Sequence, residues 1–211
     1  MEIEWLGHSS VLLRSNDVSL ITDPYPDSVG QSMGAPTADI VTVSNAHPHH
    51  SNSDAVEGAP RILSGPGEYE IGSFYISGMA TRRSEHEGER QVNTVFTMRA
   101  EGLTFCHMGD IEQMVSPAQV QELNQTDVLF VPAGGTCTIG PDQAAELVGL
   151  LGARIVVPLH YRSEGSTVDL GLLEVFLAAM GVAEVQPQKA LVVSETSLPR
   201  EPRVVVLQRA A

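Results

Sequence analysis

The sequence predicts an α/β fold in which two β-sheets pack face to face with helices outside, and three observations lead there. Short apolar runs separated by turn residues fill the first half of the chain. Apolar runs alternate with amphipathic helical segments in the second half, and Gly, Pro, Asn and Asp punctuate both halves. Strands first, then strands alternating with helices, is the order expected when two sheets bury each other's faces and helices cover them.

Glu2–Leu6, Ser10–Arg14 and Val18–Thr22 read as strands, broken by Gly7-His8 and by Ser15-Asn16-Asp17. Asp23-Pro24-Tyr25-Pro26 ends the third. A Gly/Pro/Ser-rich loop, Asp27–Asp39, leads to a buried strand at Ile40–Ser44, which runs into Asn45-Ala46-His47-Pro48-His49-His50. Further strands are expected at Arg61–Ser64, Glu68–Ile71, Phe74–Gly78, Thr94–Arg99 and Leu103–His107. Arg82–Gln91 is the most polar stretch and reads as an exposed loop with solvated Arg82 and Arg83.

Ser116, Pro117 and Gln119 supply the N-cap, N1 proline and N3 glutamine of a capping box, so a helix starts there. Val128–Pro132 is a strand. Pro141–Leu151 places Ala144, Leu147, Val148 and Leu151 on one helical face and stops at Gly152. Ile155–Leu159 is an apolar strand ending at His160. Val168–Met180 reads as a helix with Leu173, Phe176, Leu177 and Met180 inward, followed by strands at Ala190–Ser194 and Val204–Leu207.

A chain of 211 residues suits one domain, 1–211, with a sizeable core. Its 42% hydrophobic and 18% charged content is that of a globular protein. The net charge of −14, with Lys189 the sole lysine, disfavours a nucleic-acid partner, because no basic stripe is present to neutralise phosphates. The opening MEIEWLGHSS has no basic segment and no long apolar run, so a cytoplasmic protein without a membrane partner is expected. The two cysteines, Cys106 and Cys137, are too few for a disulfide framework and read as buried, reduced thiols.

Of the seven histidines, His47, His49 and His50 crowd into four residues at a strand end. Three protonated imidazoles there would repel, so the cluster makes sense chiefly as a metal-binding loop; a solvated polar loop is the alternative. His107, Asp110 and His160 also fall at strand ends, with His8 in the first hairpin and Asp23 after the third strand. Ligands at the ends of rigid strands supply fixed geometry, and N/O donors suit zinc, manganese or iron(II).

In that order, WLGHSS, the TDPY run, His47-Pro48-His49-His50-Ser51-Asn52, GPGEYEIG, HMGD, PAGGTCT and VVPLHYR resemble the small metal-dependent hydrolases of the metallo-β-lactamase superfamily. The resemblance reaches about Arg162. It implies an αβ/βα four-layer sandwich, the metallo-β-lactamase fold, with metals at one edge of the sheets. The family's H-x-H-x-D-H loop corresponds to Asn45–His50, so Asn45 replaces the first histidine and His49 the aspartate. A loop histidine of the family corresponds to Arg82 and Arg83, with His86 nearby but out of register. Asp23 matches an aspartate that orients the histidine loop.

The implied first metal position thus loses two of its three protein ligands and keeps His47. The second keeps donors at His49, His50, Asp110 and His160, so one ion at most is expected: zinc, with manganese or iron as alternatives. The resemblance implies a hydrolase acting on a small-molecule ester, lactone or phosphodiester through water on the metal, with Asp110, His107 and His8 as candidate catalytic groups. The alternatives are a non-catalytic relative binding a small ligand or partner, and a purely structural metal. Gly134-Gly135-Thr136 reads as a tight turn at the edge of the site.

Overall fold

The computed structural model describes residues 1–16, 18–84 and 91–210; Asp17 and His86 lie outside them. The strands begin with β1 (Glu2–Gly7), β2 (Ser10–Ser15), β3 (Val18–Thr22), β4 (Ile40–Val43) and β5 (Arg61–Ser64). Next come β6 (Gly67–Ile71), β7 (Phe74–Arg82), β8 (Val92–Ala100) and β9 (Leu103–His107). The remainder is α1 (Pro117–Leu123), β10 (Val128–Pro132), α2 (Pro141–Leu151), β11 (Ile155–Leu159), α3 (Leu173–Ala179), β12 (Leu191–Val192) and β13 (Arg203–Val204). One sheet runs β12-β1-β2-β3-β4-β5 and the other β13-β11-β10-β9-β8-β7-β6. This is the two-sheet α/β sandwich of the metallo-β-lactamase fold, with its α-helices packed on the second sheet.

Alternation explains how the first sheet is buried on both faces. Ile3, Trp5, Val11, Leu13, Leu20 and Ile40 join the large core shared with the second sheet. Their strand neighbours Leu6, Leu12, Ile21, Val41 and Val43 point the other way, into a smaller core with Ala38 and Val56. That outer layer is built from loop segments and short 3-10 turns; the α-helices described pack on one another and on β10 of the second sheet. Trp5 stacks on Tyr161 at 5.3 Å between ring centroids, joining the first hairpin to the end of β11.

Both sheets contain parallel strands where the site will form: β3-β4-β5 in one, β9-β10-β11-β13 in the other. Their carboxyl ends open onto one edge, the usual place for a ligand in such sheets.

The helix starts and stops follow local chemistry. Ser116 accepts from Gln119 N–H while the Gln119 amide oxygen accepts from Ser116 N–H. Gly152, at φ +63°, caps α2 through its N–H to the Val148 carbonyl. Four elements differ most from expectation. β7 continues to Arg82 because Met79, Ala80, Thr81 and Arg82 pair with Val95, Thr94, Asn93 and Val92. The third helix begins at Leu173, not Val168, because Gly171 N–H donates to Gly134 O and Gly171 O accepts from Arg162 N–H, which holds residues 168–171 as a strap. The last two strands are shorter than their apolar runs.

Phe96, fully buried at the centre of β8, should dominate its local packing. Phe96→Ala is expected to lower the unfolding free energy by about 3–5 kcal/mol, measured by guanidinium chloride titration.

Candidate metal centre

Asp23 follows β3 and is completely buried, at φ +38°. Its Oδ1 accepts the Ser44 N–H at 2.7 Å, and its Oδ2 accepts the Ser44 hydroxyl at 2.6 Å and His50 Nδ1–H at 2.9 Å. Burial opposes ionisation of Asp23, but the His50 hydrogen bond and the nearby imidazoles outweigh it and lower its pKa. The carboxylate thus fixes the histidine loop and leaves His50 Nε2 as the ring's open nitrogen.

Asp110 follows β9 through Gly109, whose φ of +59° favours glycine; a Cβ there would collide with Asn93 and Ser44. Asn93 Oδ1 accepts the Asp110 N–H at 2.8 Å. Asp110 Oδ2 lies 3.6 Å from His50 Nε2, and its Oδ1 lies 3.8 Å from His160 Nε2. Arg83, expected to be solvated, is instead part of the site. Its Nη2 lies 2.8 Å from Asp110 Oδ2 and its Nε donates to Glu112 Oε1 at 2.9 Å, while Glu112 Oε2 accepts from Ser84. The extended β7–β8 hairpin carries Arg83 there, and Arg83 N–H still pairs with Gln91 O.

His160 follows β11 at φ +51°, and its N–H donates to His8 O, which also accepts Trp5 Nε1–H. One ligand atom each from His8, His50 and His160 lie within 4.8 Å of one another, and so do atoms from Asp110, Cys137 and His160. His8 Nε2, His160 Nδ1 and Asp110 Oδ1 are buried and, among the described residues, lack a hydrogen-bond partner. Buried polar atoms left bare are costly unless something fills the space between them. Burial, followed by neighbouring imidazoles, pushes His8 and His160 far below the ordinary histidine range. Burial also disfavours a charged His50, but Asp110 and the Asp23 hydrogen bond overcome it and raise its pKa. The neutral imidazoles of His8 and His160, with His50 Nε2 and a carboxylate oxygen that has no partner among the described residues, form a donor set that fits a divalent cation.

His47, His49, His50, Asp110 and His160 line one cleft, together with Arg83, Thr136, Cys137, Val168 and Asp169. His47 and His49 sit at its mouth, outside both close groups; His47 Nδ1 accepts His49 N–H, and burial lowers both of their pKa values. Asn45 turns its amide onto the His47 N–H and the Ser44 hydroxyl. His107 spends Nε2–H on Ser9 O and Nδ1 on the Gly109 N–H, so both its nitrogens are committed to backbone. Cys106 is buried as expected, but Cys137 is exposed in the cleft, because the turn after β10 carries it out of the core. The only sequence signal for Cys137 was a thiol in a Gly-Gly-Thr turn after a strand; Arg83 was marked only by its correspondence to a loop histidine of the family, and Glu112 by nothing, since their pairing spans the hairpin.

Asp23→Asn should leave the fold intact yet weaken metal binding about 10–100-fold, read by competition with a chromogenic chelator. His8, His107 and His160 have folded pKa values below their unfolded value of 6.5. Folding keeps them neutral while the unfolded chain binds protons, so their stabilisation is present above that value and is lost as pH falls below it. The metal-free protein is therefore expected to show a falling denaturation midpoint from about pH 7.5 to about pH 5.5.

A family described as "Beta-lactamase superfamily domain" matches residues 2–160. The UPF0173 metal-dependent hydrolase of Lysinibacillus sphaericus is 28% identical over 198 residues, covering 77% of this chain and 86% of that protein. A solved structure from Thermotoga maritima, assigned to the Zn-dependent hydrolases of the metallo-β-lactamase superfamily, is similar at a TM-score of 0.80 and 34% identity, over 98% of this chain and 97% of that one. The isothiocyanate hydrolase from Delia radicum gut bacteria shares the fold alone, with a TM-score of 0.69 at 12% identity over 92% of this chain and 99% of that one. The family match takes in Asp23, the histidine loop, Asp110 and His160, and the chain belongs to the metallo-β-lactamase superfamily.

Proposed function

We propose that this chain is a hydrolase that uses one divalent cation, zinc in preference to manganese or iron, to cleave a small ester, lactone or phosphodiester. The observation that carries the reading is the convergence of His50 Nε2 and His160 Nε2 on the Asp110 carboxylate, beside buried atoms that have no partner among the described residues. His50, Asp110 and His160 would hold the ion, with His8 close beside His50 and His160. When bound, such an ion polarises the scissile group and acidifies water.

The chain's own groups divide the remaining work. Asp110, with Oδ2 on Arg83, keeps Oδ1 as the oxygen that would meet the ion, since among the described residues that atom has no other partner. His8 and His107 are poorer bases than the residue types suggest. The first is too strongly depressed in basicity, and the second has no open nitrogen. His47 and His49, at the mouth, are placed to pass a proton to solvent. Arg83 supplies a fixed positive charge where the resemblance would put donors for a first metal ion, and it favours an anionic substrate group or a developing oxyanion.

A second reading, a binding protein without catalysis, is favoured by the Arg83 bridge between Asp110 and Glu112, which neutralises the carboxylate without any ion. The readings part in one assay series using p-nitrophenyl esters, bis-p-nitrophenyl phosphate and an acyl-homoserine lactone. The hydrolase reading expects turnover that chelation abolishes and zinc restores. It also expects Asp110→Asn to lower kcat/KM by about a hundredfold or more, the upper end of the scale for a weakened metal site. Hydrolysis that survives both chelation and His160→Ala would remove it.

A further inference from the structure

Cys137 falls at none of the positions at which the metallo-β-lactamase pattern places a ligand, yet the structure sets it against two that do. Its Sγ, one Asp110 carboxylate oxygen and one His160 nitrogen lie mutually within 4.8 Å. Asp110 Oδ1 is buried without a partner among the described residues, and His160 Nε2 lies 3.8 Å from it, so the thiol stands beside a carboxylate oxygen in need of one.

The turn that presents Cys137 is rigidly held. Gly134 packs so tightly on the His160 carbonyl that a Cβ would collide with it, and Gly134 N–H donates to that carbonyl at 3.0 Å. Thr136 adopts φ +61°, a conformation unfavourable for its side chain, and is pinned by its hydroxyl to Asp169 O at 2.8 Å. Cys137 N–H closes the turn on Gly135 O at 2.8 Å. The sulfur is thereby tied to the strand end that carries His160.

Charge gives the placement a purpose. His49 stands where the superfamily pattern has an aspartate, so the second metal position keeps one carboxylate, Asp110. A thiolate restores the second negative charge that balances a divalent cation.

We infer that Cys137 Sγ is a protein ligand, with His50, Asp110 and His160, of a single thiophilic divalent cation; this rests on the metal-site reading above. On binding, Cys137 releases its S–H proton to solvent and the sulfur lone pair forms the bond to the ion. The site is then expected to prefer Zn2+, Co2+ or Cd2+ over Mg2+ or Mn2+.

The test uses the intact protein, stripped of metal and reloaded with Co2+ or Zn2+. Cys106 is wholly buried, so iodoacetamide reads Cys137. The expected results are a near-ultraviolet thiolate-to-cobalt charge-transfer band that is absent in Cys137→Ser, and alkylation of the wild type slowed by Zn2+ but not by Mg2+. Cys137→Ser should also weaken Co2+ binding by about tenfold or more. One equivalent of bound Co2+ with no such band, and an alkylation rate indifferent to Zn2+, would overturn the role of Cys137 and leave the metal site standing. Failure of the wild type to bind either ion would overturn both.

Discussion

Asp23 is a carboxylate with no solvent contact, and the architecture of the site hangs on how its charge is satisfied. Left bare, a buried carboxylate would be prohibitively unfavourable; paired with His50 and given two bonds from Ser44, it becomes a clamp between the end of β3 and the loop after β4. The clamp chooses which His50 nitrogen points outward and what it points at. From there the order passes through Asp110 to Arg83, Glu112 and the β7–β8 hairpin, and through His160 to the first hairpin at His8. The two sheets are thus tied at their open edge by polar contacts as well as by the core between them.

Strain gathers at the same edge. Of the seven described non-glycine residues with positive φ, His8, Asp23, Thr136 and His160 belong to the site. Each sits where a strand ends and the chain must reverse while aiming a side chain or carbonyl inward. Such conformations persist only when the surroundings hold them, here through bonds such as His160 N–H to His8 O and the Thr136 hydroxyl to Asp169 O. A pre-formed cluster of this kind has little reorganisation left to undergo when a cation arrives.

Much of this was legible in the sequence because the information was local. β3, β5, β9, β10, β11 and α2 begin and end where their apolar runs do, and the Ser116–Gln119 box and Gly152 mark helix ends by short-range hydrogen bonds. The residues at strand ends could be picked out for the same reason. What could not be read depends on contacts between distant segments. The 168–171 strap is held off helix by Gly134 and Arg162, and the pairing of Arg83 with Asp110 and Glu112 joins segments far apart in the chain. Cys137 likewise looked like an ordinary core thiol until the turn after β10 placed it beside His160. His47 and His49, the most conspicuous residues of the motif, stand at the rim, while the unobtrusive His8 stands among the buried imidazoles.

Arg83 and Asn45 together give the site its particular character. Where the superfamily pattern has nitrogen ligands for a first ion, this chain has a guanidinium locked to Asp110 and an amide folded onto its own loop. A second cation beside Arg83 would meet an existing positive charge and too few donors. The most direct test is anomalous diffraction at the zinc edge from crystals of the zinc-loaded protein. The account predicts one peak per chain, about 2.0–2.3 Å from donor atoms of His50, Asp110 and His160. Two peaks, or a lone peak seated between His47 and Arg83, would contradict it.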